Sequence, residues 1–511
     1  MKNNTSISLI ATIISFFLLQ ATVVAQESGS LKDTLYSSVL QQKRPIQIIL
    51  PPRYKKEDSA RYDVLYVLDG EWNTSLTQTA YQFLGYAQFV PTNVIIVGVP
   101  NVYKGDINFR DRDFTPTRTD YSPISGGAAN FLSFFKEELI PYINKQYRTK
   151  PENNTLYGTS LGGLFATYAF LYAPALFKSY LTVEPSLWYD NGLMSKIARE
   201  KLPNMGNADI TYWASVRDGQ FFYDMGVASL DSVLRQQAPK AVDWKVRPYP
   251  DETHFSSIWK GLYDGFKFTY KGFMVEDNFL LTPTNGRILS GHPFRLRCYN
   301  AGAEGYMTYT VDGSEPAMAS TQLKYVNTFN FTSNTTVTVK ALSSRKEYEK
   351  TIRCNYKVEP PLMAVQPPKD IKKGGLRFKY YKGNWDQLPE LNKLKPVRTG
   401  STDDGFDING FGGEDGFACG LEGLLEVPEE GYYVFGLGNN NPARVQIAGQ
   451  TILDEQQAIH RQSFIIYLQK GFYPIKVEGL RKKGGQQFSP LFWRKESEPN
   501  TSPVAAEFLY H

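Results

Sequence analysis

Residues 156–166 read LYGTSLGGLFA, with Ser160 two places after Gly158 and two before the pair Gly162-Gly163. A run with strand character, Thr155 to Gly158, leads in, and the apolar stretch LFATYAFLY leads out to Pro174. Glycines at this spacing are what a strand needs to turn sharply into a helix with the serine at the bend. Neighbouring elements come too close to the flanking positions to admit side chains there. A tight turn with an incidental serine has the same short pattern, so the surrounding chain decides between the two.

Outward from Ser160, from about residue 40 to 275, strand-like and helix-like runs alternate. PIQIIL (45–50), YDVLYVL (62–68), NVIIVGV (93–99), TLYG (155–158), YLTVE (180–184), ITYWASV (210–216) and WKVRPY (244–249) read as strands. FLSFFKEELIPYINKQY (131–147) and the segment after Ser160 read as helices. This alternation predicts an α/β fold, a mostly parallel, doubly wound sheet covered on both faces. Ligands of such sheets bind beyond the carboxyl ends of the strands, where Ser160 would stand.

A serine hydroxyl is a poor nucleophile until a base takes its proton, and imidazole suits that task near neutrality. The chain has four histidines, His254, His292, His460 and His511. Of these, only His254 falls in the alternating segment. It lies in YPDETHFSSIWKGLYDGF (249–266), after the last expected strand and before a helical run. Serine first and histidine last is the order in which α/β-hydrolase sheets deliver their nucleophile and base.

The 511 residues suggest several domains, and their 42% hydrophobic and 21% charged content suits a globular protein. The formal charge of +5 is too dilute, and Lys/Arg too scattered, for a nucleic-acid partner. Lys2, the apolar run LIATIISFFLL and Val23-Val24-Ala25 before Gln26 read as a signal peptide over residues 1–25. The expectation is an exported protein, periplasmic or secreted, with no membrane anchor. The only cysteines are Cys298, Cys354 and Cys419, so no thiolate serves the α/β segment. Cys298 and Cys354 are either bridged or two buried thiols on neighbouring strands. No cysteine–histidine pattern suggests a metal site, and no cofactor is expected.

From about 280 the texture changes to short alternating runs broken by Gly, Asn, Ser and Pro, the pattern of small antiparallel sandwiches. Residues 280–358 form one such segment. A Pro-containing linker over 359–370 precedes a Gly-rich, all-β segment over 371–511.

In its order of motifs, the segment 26–275 resembles the esterase D family of α/β hydrolases. The matching stretches are VLYVLDGEW (64–72), IIVGVPN (95–101), RDRDFTP (110–116), FFKEELIPYINKQYRT (134–149), LYGTSLGGLFA, EPSLWYD (184–190) and the His254 loop. The resemblance implies Ser160 as nucleophile, His254 as general base, and an oxyanion hole from the backbone N–H of Leu161 with that of Glu71 or Trp72. Asp218, in VRDGQFF, is the first choice for the acid that orients His254, and Glu184 is the alternative. Trp72, Trp188 and Tyr189 are candidates to hold an aromatic acyl group or sugar ring, with plain packing the other reading. Arg110, Arg112 and Asp113 are expected to brace a loop, with a pocket role open for Arg112.

Residues 306–320 (YMTYTVDGSEPAMAS) with TVTVKAL (336–342) resemble the small sandwich that ends chitobiase chains. GGLRFKYYKGNWDQLP (374–389), VPEEGYYVFGLGNNNPARVQIAG (427–449) and LQKGFYPIKVEG (468–479) resemble the protective-antigen domain family. Some of that family's members bind sugars through calcium held by paired aspartates. Here the turn reads Gly438-Asn439-Asn440-Asn441, and neutral amides hold a hard cation more weakly than carboxylates.

Together these resemblances imply a serine carboxylic-ester hydrolase acting on a small-molecule or polysaccharide ester, with feruloyl or acetyl groups on xylan the leading substrates. A siderophore trilactone is the alternative, and acyl transfer to a sugar hydroxyl a third possibility. The reading from another class is a non-catalytic glycan-binding protein with a relict hydrolase domain, making glycan contact through its C-terminal β segments.

Overall fold

The computed structural model describes residues 31–511 except 53, 56–58, 207–208, 274–279, 300–306, 344, 403–404, 407–415, 439–440, 456–461 and 485–490. The expected signal peptide and the Asn439-Asn440 turn therefore lie outside the described residues. The chain divides into two compact units, residues 1–271 and 272–511.

The first unit is built on eight strands. They are β1 (Leu31–Ser37), β2 (Gln42–Ile49), β3 (Tyr62–Leu68), β4 (Val94–Val99), β5 (Thr149–Thr159), β6 (Ser179–Val183), β7 (Ile210–Arg217) and β8 (Val242–Tyr249). They form one sheet in the order β1-β2-β4-β3-β5-β6-β7-β8. The β1–β2 and β2–β4 pairs are antiparallel, and every other pair is parallel. β3, β4 and β6 are buried along their whole length, as unbroken apolar runs are when helices cover both faces. β1 was not anticipated; its run LKDTLYS is half polar and mostly exposed at the sheet edge.

The helices that matter for the site are α1 (Gly70–Tyr86) after β3, α2 (Leu161–Tyr172) after β5, α3 (Tyr189–Lys201) after β6 and α4 (Ser256–Thr269) after β8. All of α2 except Tyr172 is buried, so the helix behind Ser160 is fixed on every side. A cluster of Phe114, Phe131, Phe134, Phe135 and Phe165 packs over the sheet beside it. Gly261 and Gly265 let α4 lie close to β6 and β7: a Cβ at Gly261 would stand 2.5 Å from Ser215 Oγ.

The second unit is all β. Its largest sheet runs through nine strands, 321–322, 307–310, 335–341, 350–358, 285–288, 463–468, 431–437, 491–495 and 502–503. Asn285–Ile288 pairs in parallel with Lys350–Val358 on one side and with Ser463–Leu468 on the other. The stretches read from sequence as separate β segments thus share a sheet, and also a core in which Val434 and Ile465 pack with Phe294 and Val337. The expected linker is pinned at Leu362 and Val365 by bridges to Leu468 and Phe472. Cys298 and Cys354 are buried in this core as thiols and not as a disulfide, and burial pushes the Cys354 thiol up to about 12. Among the described residues, no helix is long and apolar enough to cross a membrane.

Candidate active site

Three neighbouring strands end in the same way. β3, β5 and β6 are followed directly by Asp69, Ser160 and Glu184, whose φ angles are 52°, 53° and 49°. Non-glycine residues rarely adopt this region, and where they do the surrounding structure holds them there. Around Ser160 the glycines explain how. A Cβ on Gly158 would stand 2.3 Å from the carbonyl oxygen of Gly162, and one on Gly163 would stand 2.9 Å from Pro185 Cα. Strand, turn and helix are therefore packed backbone against backbone, and Ser160 is turned outward at the N-terminus of α2.

Backbone bonds tie this turn to the next. Ser160 N–H donates to Val183 O at 3.1 Å, and Ser186 N–H donates to Ser160 O at 3.0 Å. The residues on either side of Glu184 are thus bonded to Ser160. The Glu184 side chain, 0% exposed, receives a contact from His254 Nδ1 at 3.2 Å. It also accepts Arg217 N–H at 2.7 Å on one oxygen and Arg217 Nε–H at 3.1 Å on the other. Burial by itself would raise the Glu184 pKa. The hydrogen bonds from His254 and Arg217, with the guanidinium charge, outweigh it and hold the carboxyl below its usual range.

His254 and Ser160 reach the same sheet edge without a direct hydrogen bond. The partner of the Ser160 hydroxyl is Ser186 Oγ, at 3.3 Å. Such contacts are often long in the absence of substrate and tighten in the complex. With its Nδ1 proton on Glu184, the imidazole keeps Nε2 open as a proton acceptor.

The expected orienting acid, Asp218, does not meet His254. It is exposed, its N–H donates to Tyr249 O at 3.0 Å, and its carboxylate has no partner among the described residues. The reason is register: β7 continues through Arg217, so residue 217 faces Glu184 and residue 218 has already turned to solvent.

The oxyanion candidates also separate. Trp72 N–H donates to Asp69 O at 3.0 Å within the first turn of α1, which removes it as a donor. The N–H groups of Leu161 and Glu71 have no acceptor among the described residues, as expected for the first positions of α2 and α1. The two helix starts are adjacent: Asn73 Nδ2–H donates to Thr159 Oγ1 at 3.3 Å and to Leu68 O at 3.0 Å. A polar clamp holds the turn before Glu71. Arg110 donates to both Asp69 oxygens at 2.6 and 2.8 Å, and Asn101 Nδ2 joins Asp69 to Glu71 at 2.7 and 2.8 Å.

Of the proposed substrate contacts, Trp72 is 61% exposed and Trp188 39% exposed. Tyr189 is buried: its hydroxyl donates to Thr117 O at 2.8 Å and its ring packs on Tyr121, so it supports the loop. Arg112 is a brace as well, engaged by Asp113 at 2.8 Å, by Gln42 at 3.2 Å and by the Phe109 ring. Asp113 is shared with buried Arg44, 2.7 Å away. Sequence reading passed over Tyr121, Ser186 and Arg217. Tyr121 is exposed and stacks edge-on against Trp188, and Phe221 and Phe255, also exposed, follow β7 and β8 at this edge. Arg217 sits one place before the Asp that drew attention, and nothing short of the strand end could have chosen between the two. Among the described residues, no cluster of His, Cys, Asp and Glu has the makings of a metal site.

Residues 37–215 match the family described as Esterase, putative esterase. The chain is 29% identical over 151 residues to the ferri-bacillibactin esterase BesA of Bacillus subtilis, covering 27% of this chain and 52% of that protein. It is 28% identical over 155 residues to the siderophore triacetylfusarinine C esterase of Aspergillus fumigatus, covering 29% and 52%. The chain thus spans about half the length of these curated relatives. A solved IroE-like serine hydrolase from Shewanella oneidensis is 30% identical, with a TM-score of 0.44, covering 48% of this chain and 82% of that one. The N-terminal half of the chain carries the esterase-family α/β-hydrolase fold.

Proposed function

We propose that the protein is an exported serine carboxylic-ester hydrolase, with Ser160 as nucleophile, His254 as general base and Glu184 as the carboxylate that orients the imidazole. The observation that carries this reading is the buried Glu184 carboxylate on His254 Nδ1, in the loop bonded on both sides to Ser160. His254 Nε2 takes the Ser160 proton as Oγ attacks the ester carbonyl. The oxyanion meets the open N–H groups of Leu161 and Glu71, each such donor being worth about 2.7–4 kcal/mol. Collapse breaks the ester C–O bond, and His254 returns the proton to the leaving alcohol. Water, deprotonated by the same imidazole, then releases the acid from Ser160.

For the substrate, we put a siderophore ester ahead of a feruloyl or acetyl ester on polysaccharide, a reading supported by the similarity to a ferri-bacillibactin esterase and to a siderophore triacetylfusarinine C esterase. The exposed rings of Trp72, Tyr121, Trp188 and Phe221 at the strand ends suit an aromatic group in either class. Glycan contact through the C-terminal unit remains part of the proposal only for the polysaccharide reading.

The test is turnover of p-nitrophenyl acetate, methyl ferulate, acetylated xylan and a catecholate trilactone by wild type and Ser160→Ala. The expected outcome is a loss of about 10⁴-fold or more in kcat on the preferred ester, with the fold intact. Turnover by neither protein would return the chain to the non-catalytic glycan-binding reading, and equal turnover by both would remove Ser160 as the nucleophile.

A further inference from the structure

Arg217 does two things at once. Its backbone N–H and Nε–H both point at Glu184, while its guanidinium carbon lies 3.8 Å from the centre of the Phe221 ring. Among the described residues, neither terminal guanidinium nitrogen has a hydrogen-bond partner, and the side chain is 15% exposed. Two charge-bearing donors are therefore left at the rim, on a side chain whose inner edge is fixed by a buried carboxylate and whose face is fixed by an aromatic ring. A guanidinium held in this way is already organised to receive a carboxylate through paired donors.

Its position says which part of a substrate it meets. β5, β6 and β7 are adjacent parallel strands, so Arg217 stands two strand spacings, roughly 10 Å, from the strand that ends at Ser160. It lies on the side of Glu184 and His254. The imidazole hands its proton to the departing oxygen, so the alcohol half of the ester occupies that side.

We infer that Arg217 is a specificity-determining residue that binds a carboxylate on the leaving alcohol, so that the preferred substrates are esters of hydroxy acids or of acidic sugars. This rests on the reading of the site as a serine ester hydrolase. Arg217 also positions Glu184, so its replacement lowers turnover of every ester. The assignment is therefore read from a ratio that this general loss leaves unchanged.

The probes are 4-acetoxybenzoate, which carries a carboxylate on the leaving phenol, and methyl 4-acetoxybenzoate, in which that charge is masked. The ratio of their kcat/KM values is measured for wild type, Arg217→Gln and Arg217→Lys. The ratio is expected to fall about 10-fold or more in Arg217→Gln, mainly through KM for the charged ester, and to be largely kept in Arg217→Lys. Should Arg217→Gln be too weak to assay, Phe221→Ala, which frees the guanidinium from its ring, is expected to lower the ratio several-fold. A ratio that is the same in wild type and in whichever of these variants can be assayed overturns the assignment. If both esters are cleaved in a Ser160-dependent way with no change in ratio, the esterase reading stands and only the role of Arg217 falls. If wild type cleaves neither ester, nor any on the broader panel, both fall. O-acetyl-N-acetylserine and acetylated glucuronate, run side by side, then separate a hydroxy-acid source from a sugar-acid one.

Discussion

The two units of this chain meet difficult backbone geometry in different ways. Among the described residues, eight of the nine non-glycine residues with positive φ lie in the first unit, and only Ala448 lies in the second. The second unit makes its tight turns with glycine, as at Gly313, Gly405, Gly431 and Gly471. In the first unit, Asp69, Ser160 and Glu184 hold this conformation at three adjacent strand ends, at a cost of order 1–3 kcal/mol each. Glycine would relieve that strain and remove the side chain. At these three strand ends the strain accompanies a carboxylate or hydroxyl that projects from the sheet edge, whereas Gln41 and Ala448 carry the same φ in hairpin turns that only reverse the chain.

The comparison breaks most visibly at the carboxylates. Glu184→Gln is expected to lower kcat on the preferred ester by about 10²–10⁴-fold, because His254 loses the charge that orients and steadies it. Asp218→Asn, one residue beyond the bond that matters, is expected to change kcat less than about twofold. Steady-state assays of the two variants side by side check this, and a large loss in the Asp218 variant would restore the assignment made from sequence.

Backbone packing gives the next effect. Gly158→Ala puts a methyl group 2.3 Å from the Gly162 carbonyl oxygen and is expected to cost about 3 kcal/mol. Gly436→Ala, in a strand of the second unit whose Cβ would meet nothing nearer than 3.6 Å, is expected to cost less than about 1 kcal/mol. Denaturant unfolding of both variants measures the difference.

The smallest effect separates the units by pH. Glu184 is held below the usual carboxyl range, so its contribution to stability is present above about pH 4 and is lost as pH falls through its lowered folded value. Glu455, in the second unit, is pushed up to about 7 by burial, partly offset by the Gln462 N–H, its donor among the described residues. Its folded form favours the proton, so stability from this group is present below about pH 4 and is lost as pH rises to 7. Glu455→Gln is expected to gain about 2–3 kcal/mol relative to wild type between pH 4 and pH 8. Glu184→Gln is expected to flatten the acid limb instead. Urea titrations from about pH 2.5 to pH 8 show whether the two slopes have opposite signs.

What could be read from the sequence about the fold follows from periodicity and from glycine spacing. YDVLYVL at 62–68 coincides with β3 to the residue, and ITYWASV lacks only Arg217 of β7. That one missing residue is the one whose N–H grips Glu184, and the strand's extra residue leaves Asp218, the acid that the family resemblance implied, turned to solvent. Tyr189 and Arg112 each carry two readings in the sequence for a related reason: a Tyr or Arg beside a site pattern looks the same whether it faces substrate or packs beneath a loop. Burial decides that, and burial depends on elements distant in the chain, such as the loop carrying Thr117 and Tyr121.

By itself the sequence determined that a glycine-flanked serine would sit at a strand-to-helix turn of a parallel sheet, with a single histidine available to that sheet. Local sterics and pattern suffice for this, because both act within a few residues. The tertiary structure alone decided which carboxylate meets the imidazole. His254 and Glu184 are 70 residues apart, and their contact depends on β6 lying beside β7 and on α4 packing closely behind them. The same strand neighbourhood brought Arg217 to Glu184, and strand order is a property of the whole sheet that no short stretch encodes.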